Sequence, residues 1–196
     1  NDSTLHQHQG FFFAVFPSLG GRQFESDNLD QMESVGRYLG RLHQTGRKAR
    51  FVARPEIGVN EYLFAPRDVF EHSTLIPSGL KKDFLRAADK LIAAVIAQWH
   101  GNADILRLHG DCHAGNILWR DGPLFVDLDD ARNGPAIQDL WMLLSGDAQA
   151  MARQLDSVLE GYEQFADFDP ASLHLVEALR TLRLIHYAGW IARRWD

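Results

Sequence analysis

Residues 108–130 read LHGDCHAGNILWRDGPLFVDLDD and concentrate polar groups between short apolar runs. This segment holds five acidic side chains, two histidines, one asparagine and the only cysteine of the 196-residue chain. The apolar runs at 105–108, 117–119 and 124–126 predict small strands that are separated by polar loops. Because reactive side chains are commonly carried by loops on a rigid base, we expect a functional site here.

Three of these polar residues have a spacing that indicates phosphoryl transfer. His109, Asp111 and Asn116 fit the pattern H-x-D-x-x-x-x-N of a kinase catalytic loop. In that loop the aspartate accepts the proton of the attacking hydroxyl, and the asparagine offers an amide oxygen to Mg²⁺ beside the nucleotide phosphates. Asp127 follows the run 124–126 and supplies a carboxylate, which is a suitable ligand for a hard cation. The spacing therefore predicts Mg²⁺ and a bound nucleotide.

The composition restricts the other classes of function. A content of 45% hydrophobic and 23% charged residues allows a substantial core. The net charge of -6 gives little electrostatic support for nucleic-acid binding. No apolar run approaches the roughly 20 residues that cross a bilayer, and the single Cys112 cannot form an internal disulfide. We expect a cytoplasmic protein with neither a nucleic-acid nor a membrane partner.

Outside this segment the periodicity is mostly helical. Residues 11–16 predict a strand, and three- and four-residue apolar spacing predicts helices over 28–45, over 80–99 and from Ile137 onward. The fold class is therefore α+β, with a single small sheet that carries the polar cluster. The helix over 80–99 is expected to bury one stripe, formed by Leu80, Phe84, Ala87, Ala88, Leu91, Val95 and Trp99.

The run HGDCHAGN, followed by VDLDD, resembles the signature of the aminoglycoside phosphotransferase and choline kinase superfamily, whose members share the protein-kinase-like fold. The usual form is H-G-D-x-H-x-x-N and then an apolar strand that ends in D-x-D or D-x-E. The flanking segments, among them FPSLGGRQFE and VGRYLGRLHQTG, are similar to a bacterial branch of Ser/Thr protein kinases that acts in stress responses. The resemblance runs from about Phe12 to the last residue and implies an ATP- and Mg²⁺-dependent kinase.

The resemblance also assigns roles to individual residues. Asp111 would be the catalytic base, Asn116 and Asp127 the Mg²⁺ ligands, and Asp129 a further carboxylate near the metal. His109 and His113 would support the loop. Asp139 would accept backbone N–H bonds from the catalytic loop, although an aspartate at a helix start also has an ordinary role beside the helix dipole. The backbone of Phe16, Pro17 and Ser18 would form the hinge that bonds the adenine edge.

The resemblance sets the domain boundaries as well. The strand lysine, its helix glutamate and the Gly-rich loop of a kinase should precede the hinge. Here the first lysine is Lys48, and no G-x-G-x-x-G occurs. We therefore expect residues 1–27 to hold the last strand of an N-terminal lobe and the hinge, and residues 28–196 to form a C-terminal lobe with catalytic loop 109–116 and metal loop 127–130. Both ends would be truncated, and without its N-terminal lobe the chain alone should bind ATP poorly and be inactive.

Several alternatives remain open. His109, Asp111 and His113 alternate along the chain and could bind Zn²⁺ together with Asp127 and Asp129, which would leave Asn116 unexplained. Cys112 beside His113 could act as a nucleophile, although neighbouring side chains in an extended loop point apart. A pseudokinase that only binds is a further possibility.

The phosphate acceptor is the remaining question, with a protein Ser/Thr or a small molecule such as an aminoglycoside, choline or homoserine as candidates. The resemblance places the acceptor against the C-terminal helices. From Ser172 onward the acidic residues are Glu177 and Asp196, whereas the basic ones are Arg180, Arg183, Arg193 and Arg194. This balance disfavours a polycationic acceptor.

Overall fold

The computed structural model describes residues 4–99 and 104–195. Residues 1–3 of the first predicted domain, and residues 100–103 and 196 of the second, lie outside this description. The described residues contain seven strands: β1 (His6–His8), β2 (Phe11–Phe13), β3 (Arg22–Gln23), β4 (Ile105–Leu108), β5 (Ile117–Trp119), β6 (Pro123–Phe125) and β7 (Arg132–Pro135). They also contain six α-helices: α1 (Leu29–Gly46), α2 (Ala65–His72), α3 (Ser78–Gln98), α4 (Ile137–Trp141), α5 (Ala148–Tyr162) and α6 (Val176–Trp195). The predicted α+β class, with helix predominating, is confirmed.

Helices α1 and α5 pack closely against each other and support the polar cluster. The side chain of Asn28 caps α1 by accepting a hydrogen bond from the Gln31 N–H at 3.2 Å. Gly36 of α1 and Gly161 of α5 let the two backbones touch, since a Cβ atom on Gly161 would lie 1.9 Å from a backbone oxygen of α1. The apolar face of α1 is fully buried at Met32. This close packing fixes the position of α1, whose C-terminal half carries residues that contact the polar cluster.

The strands form three separate small sheets rather than the single sheet that was predicted. Strand β4 pairs antiparallel with β7, β5 lies between β3 and β6, and β1 forms a hairpin with β2. Strand β7 was not predicted because its sequence, RNGP, has neither β-branched residues nor alternation. The β4–β7 pair places the end of β4 beside the start of β7. The loop that follows β4 therefore meets the loop that precedes β7.

The apolar stripe predicted for α3 is wrong in its details. Ala88, Ile92 and Val95 are buried, whereas Leu80 and Leu91 are 62% and 50% exposed. The helix lies against α2 and α6 along one edge only, which leaves the rest of an apolar surface in contact with solvent. A π-helical turn, Asn60–Phe64, and α2 were also not predicted.

The N-terminal segment carries an exposed apolar surface. The strand predicted over 11–16 ends at Phe13, and it pairs with β1, which was not predicted. Phe11, Val15 and Phe16 are each 75% exposed. Across residues 4–99 and 104–195, none of the helices combines the length and the apolar character that a membrane span needs.

Candidate active site

A buried carboxylate holds the start of the catalytic loop. Asp139, near the beginning of α4, is inaccessible to solvent. Its Oδ2 accepts a hydrogen bond from the N–H of His109 and its Oδ1 accepts one from the N–H of Gly110, both at 2.9 Å. Two backbone donors at the exit of β4 are thus satisfied by one side chain, which fixes the direction in which the chain continues to Asp111. This is the contact that the family resemblance implied.

A second buried side chain orients that carboxylate. His43, on the buried face of α1, donates from Nε2 to Asp139 Oδ2 at 2.9 Å. Its Nδ1 and the hydroxyl of Tyr162 are hydrogen-bonded at 3.0 Å, and burial raises the pKa of that tyrosine to about 12. The ring of His43 therefore links the carboxylate of Asp139 to the hydroxyl of Tyr162 on α5. Neither His43 nor Tyr162 was predicted from the sequence to take part in the site.

Asp111 lies at the edge of a cavity between the catalytic loop and α6. Its Oδ1 is 2.6 Å from Nη1 of Arg183, an ion pair that lacks hydrogen-bond alignment, so this buried oxygen has no hydrogen bond among the described residues. On the other side, His113 Nε2 lies 3.6 Å from Oδ2. The amide of Asn116 donates to the carbonyl oxygen of Asp111 at 3.0 Å. Asp111 is therefore held in place by contacts to its carboxylate and to its backbone oxygen.

The two predicted metal ligands are joined through the residue between them. The N–H of Val126 donates to the carbonyl oxygen of Asn116 at 3.0 Å. The carbonyl oxygen of Val126 in turn accepts a bond from His109 Nε2 at 2.9 Å. Val126 is thus hydrogen-bonded to the catalytic loop through both its N–H and its carbonyl group, and Asp127 is the next residue. His109 supports this junction from a fully buried position.

The donor groups at this junction fit a hard divalent cation. Asn116 directs its NH₂ group at Asp111, and its amide oxygen makes no hydrogen bond within the described chain. Asp127 is exposed and its carboxylate is also free of hydrogen bonds within the described chain. Its φ of 61° lies in the left-handed region, an unfavourable backbone conformation that recurs at functional sites. Free amide and carboxylate oxygens are the type of ligand that Mg²⁺ prefers.

The remaining acidic residues of the metal loop differ in their partners. Asp129 is exposed, and its backbone oxygen accepts a bond from Arg54 at 2.6 Å. The Asp130 carboxylate pairs with Arg132, whose guanidinium also donates to the Tyr62 hydroxyl at 2.6 Å. The side chain of Asp129 thus has no partner within the described chain, whereas the carboxylate of Asp130 is paired with Arg132.

Gly110 allows the catalytic and metal loops to touch. Its φ is 87°, and a Cβ atom there would lie 2.2 Å from the backbone oxygen of Asp130. Both the conformation and the close approach require glycine. The sequence H-G-D therefore has a structural reason, which is that the loop of Asp111 packs directly on the loop that carries Asp127.

The zinc and cysteine alternatives do not agree with this geometry. Within residues 4–99 and 104–195, no three His, Cys, Asp or Glu side chains are grouped so that they could hold a metal ion. His109 is already bonded to Val126. Cys112 is fully buried, and burial raises the pKa of its thiol well above the ordinary value, with Asp139 and Asp111 adding to the effect. A nucleophilic cysteine needs the opposite, an accessible thiol with a lowered pKa.

The cavity beside Asp111 has a volume of about 220 Å³ and is bounded on one side by α6. Tyr62 stacks on His186 of α6 with the ring centres 4.2 Å apart. Burial and then the charge of Arg132 lower the pKa of His186. Tyr187 and Trp190 of the same helix complete the outer rim. The C-terminal helix therefore meets the catalytic loop across this cavity.

The predicted hinge residues are placed apart from these contacts. Phe16, Pro17 and Ser18 are exposed, lie outside regular secondary structure and make no hydrogen bond within the described chain. Their backbone groups are therefore free to bond another group.

Comparison with known proteins identifies the family. The model of the phosphotransferase enzyme family matches residues 2–176. Stress response kinase A from Escherichia coli strain K12 is 66% identical over 195 residues, which cover 100% of this chain and 60% of that protein. A serine/threonine protein kinase named RdoA from Salmonella typhimurium is 64% identical over the same coverage. The chain thus spans about 60% of the length of these curated relatives.

Solved structures of kinases share the fold. The amicoumacin kinase hAmiN, in complex with AMP-PNP, Ca²⁺ and Ami, matches with a TM-score of 0.68 at 23% identity, over 94% of this chain and 57% of that one. A microcompartment-associated aminopropanol kinase matches with a TM-score of 0.64 at 16% identity, over 98% of this chain and 64% of that one. The family match, which covers most of the chain, shows that the chain belongs to the phosphotransferase enzyme family.

Proposed function

We propose that this chain carries the catalytic loop of an ATP- and Mg²⁺-dependent kinase that phosphorylates Ser or Thr residues of proteins. One observation supports this proposal most strongly. The carboxylate of Asp111 lines a cavity, and the amide oxygen of Asn116 and the carboxylate of Asp127, which are free of hydrogen bonds within the described chain, lie at the neighbouring junction. Phosphoryl transfer needs a base and metal ligands in this relation, because positioning and charge stabilisation supply most of its catalysis.

Each residue has a distinct role in the proposed reaction. Asp111 accepts the proton of the acceptor hydroxyl. Asn116 and Asp127 would hold Mg²⁺, with Asp129 as a further carboxylate, and the ion would neutralise charge on the nucleotide phosphates. His109 and Asp139 hold the catalytic loop and the metal loop in their relative positions, and His113, whose Nε2 lies 3.6 Å from Asp111 Oδ2, supports the catalytic loop. The backbone of 16–18 would bond the adenine edge.

The choice of a protein acceptor rests on the relatives and on the cavity. The relatives named above include one called a serine/threonine protein kinase, and others are named for the stress response; we propose the same process for this chain, in the cytoplasm. The cavity of about 220 Å³ is smaller than the roughly 300–1,000 Å³ typical of small-molecule sites. An amino-acid side chain that enters from an exposed segment fits this space better than an aminoglycoside.

The test is phosphate transfer from labelled ATP by the complete product of the gene, with Mg²⁺, to three kinds of acceptor. These are a generic Ser/Thr protein, the enzyme itself and a panel of aminoglycosides and amino alcohols. Label on protein hydroxyls supports the proposal. Label confined to a small molecule would move the substrate class to the second candidate, a small-molecule kinase, which the solved structures of that kind favour. No transfer to any acceptor would favour a pseudokinase.

A further inference from the structure

The acidic and basic side chains around the cavity beside Asp111 are paired with each other. Two carboxylates, Asp111 and Asp130, face two arginines, Arg183 and Arg132. Each carboxylate is paired with one guanidinium, so the cavity presents no uncompensated negative charge among its described residues. A cationic acceptor would find no free acidic partner there.

The two arginines differ in how many of their donors are used. Arg132 is 8% exposed and donates from Nε, Nη1 and Nη2 to Asp130 and the Tyr62 hydroxyl. The side chain of Arg183 is 41% exposed, touches Asp111 through Nη1 only and otherwise makes one long contact to the sulfur of Met142 at 4.0 Å. A guanidinium has five N–H donors in a planar fork. Arg183 therefore retains an unused donor edge beside the catalytic loop.

The unused N–H groups of Arg183 lie close to the place where the phosphate-accepting hydroxyl would bind. Arg183 Nη1 lies 2.6 Å from the Asp111 oxygen that has no hydrogen bond. A hydroxyl bonded to the other oxygen of this carboxylate is consequently close to the guanidinium. In an extended peptide, side chains two residues apart lie on one face, about 7 Å from each other. A carboxylate in the residues that flank the hydroxyl can reach the free N–H groups of Arg183.

We propose that Arg183 is a specificity-determining residue that selects acceptor segments in which an acidic side chain flanks the phosphorylated Ser or Thr. This inference rests on the proposed function, because it assumes transfer to a protein hydroxyl. The exposed rings of Tyr187 and Trp190, which stack at 5.7 Å on the rim, offer such a segment a surface to lie on. A segment with basic flanking residues would instead bring like charges towards Arg183.

The test compares three Ser peptides that differ only in their flanking residues, which are acidic, neutral or basic. The complete gene product is assayed as wild type, Arg183→Gln and Arg183→Glu. Wild type should show kcat/KM for the acidic peptide at least about tenfold above that for the basic one, as expected for a charge-assisted hydrogen bond. The difference should lie mainly in KM and should shrink at high salt.

Arg183→Gln should reduce this ratio to about one, since the charge-assisted bond is lost, and Arg183→Glu should reverse it. Because the ratio is measured within one variant, it does not depend on how much of the protein is folded. Arg180→Gln is the matched control. Arg180 lies one turn earlier on α6, pairs with Glu177 at an exposed position and does not line the cavity, so its loss should leave the ratio unchanged.

The outcomes separate the two proposals. Equal use of acidic and basic peptides by the wild type, or an unchanged preference in Arg183→Gln, would overturn the role of Arg183 while leaving the kinase proposal intact. Transfer to no peptide or protein at all would overturn the proposed function, and the inference with it.

Discussion

Asp139 Oδ2 and His43 Nε2 lie 2.9 Å apart in a site from which solvent is fully excluded. The same carboxylate accepts the backbone N–H groups of His109 and Gly110. The catalytic loop is therefore anchored to α1 through a single side chain, and the position of Asp111 depends on helices that are distant in sequence.

Asp139→Asn should destabilise the protein by about 3 kcal/mol and abolish phosphate transfer. The amide keeps one acceptor oxygen, so a buried backbone donor or His43 loses its partner. Thermal unfolding of the complete gene product measures the effect. Asp147→Asn is the matched control: Asp147 caps α5 by accepting a bond from Ala150 N–H at 2.8 Å, and asparagine caps equally well. Equal melting temperatures for the two variants would contradict the anchoring role.

Gly110→Ala should reduce phosphate transfer far more than Gly79→Ala. At residue 110 the added methyl group meets the Asp130 carbonyl, and the φ of 87° disfavours any L side chain. Gly79, in the first turn of α3, has no atom within 4 Å of an added Cβ, so alanine should be neutral or slightly stabilising there. Activity per folded molecule, with folding followed by circular dichroism, separates the two effects. Full activity of Gly110→Ala would refute the close contact of the loops.

The protein should lose stability as pH rises from about 10 to 12. Burial raises the pKa of Tyr62 from its ordinary 10.0 to about 12, so the folded state retains a proton that the unfolded state releases. The stabilisation is complete below pH 10 and is lost through this window, by roughly 2 kcal/mol for this tyrosine. Tyr62→Phe should reduce the alkaline loss but not remove it, because the pKa of Tyr162 is also raised to about 12, whereas Tyr38→Phe, at a 43% exposed position, should leave it unchanged. Denaturant titrations at pH 9, 10 and 11 would show it, and an identical slope in Tyr62→Phe would rule the explanation out.

Asp127→Asn should raise the Mg²⁺ concentration needed for half-maximal transfer by at least about tenfold, because a neutral amide replaces a charged oxygen ligand. Asp129→Asn should have a smaller effect, since Asp129 lies two residues after Asp127 along the loop. The measurement is transfer rate against Mg²⁺ at saturating ATP. An unchanged Mg²⁺ requirement in Asp127→Asn would remove Asp127 from the metal site.

Much of the candidate site was predictable because its signals are local. Apolar runs of three or four residues marked β4, β5 and β6. Asp111 and Asp127 come shortly after β4 and β6, and Asn116 directly precedes β5. The hydrogen bond from the N–H of Val126 to the carbonyl oxygen of Asn116 continues the pairing of β5 with β6, which are neighbours in sequence. Short-range order of this kind is visible in the sequence.

The supporting contacts were missed because they join distant segments. His43 and Tyr162 are 119 residues apart and lie on different helices. A signal for His43 did exist: it falls four residues after Leu39 on the buried stripe of α1, and a polar residue at such a position must find a partner. The separate sheets and the exposed side of α3 depend on which elements cover each other, which local periodicity does not specify.

The central claim is that Asp111 is the base of a phosphotransferase. Its most direct test is single-turnover transfer from labelled ATP by the complete gene product as wild type, Asp111→Asn and Asp121→Asn. Asp121, in the exposed turn between β5 and β6, provides the same chemical change away from the site. We predict that Asp111→Asn lowers the transfer rate by about 10²–10⁴-fold, the range for a general base, with ATP still bound and Asp121→Asn unaffected. Transfer by Asp111→Asn at the wild-type rate would contradict the account.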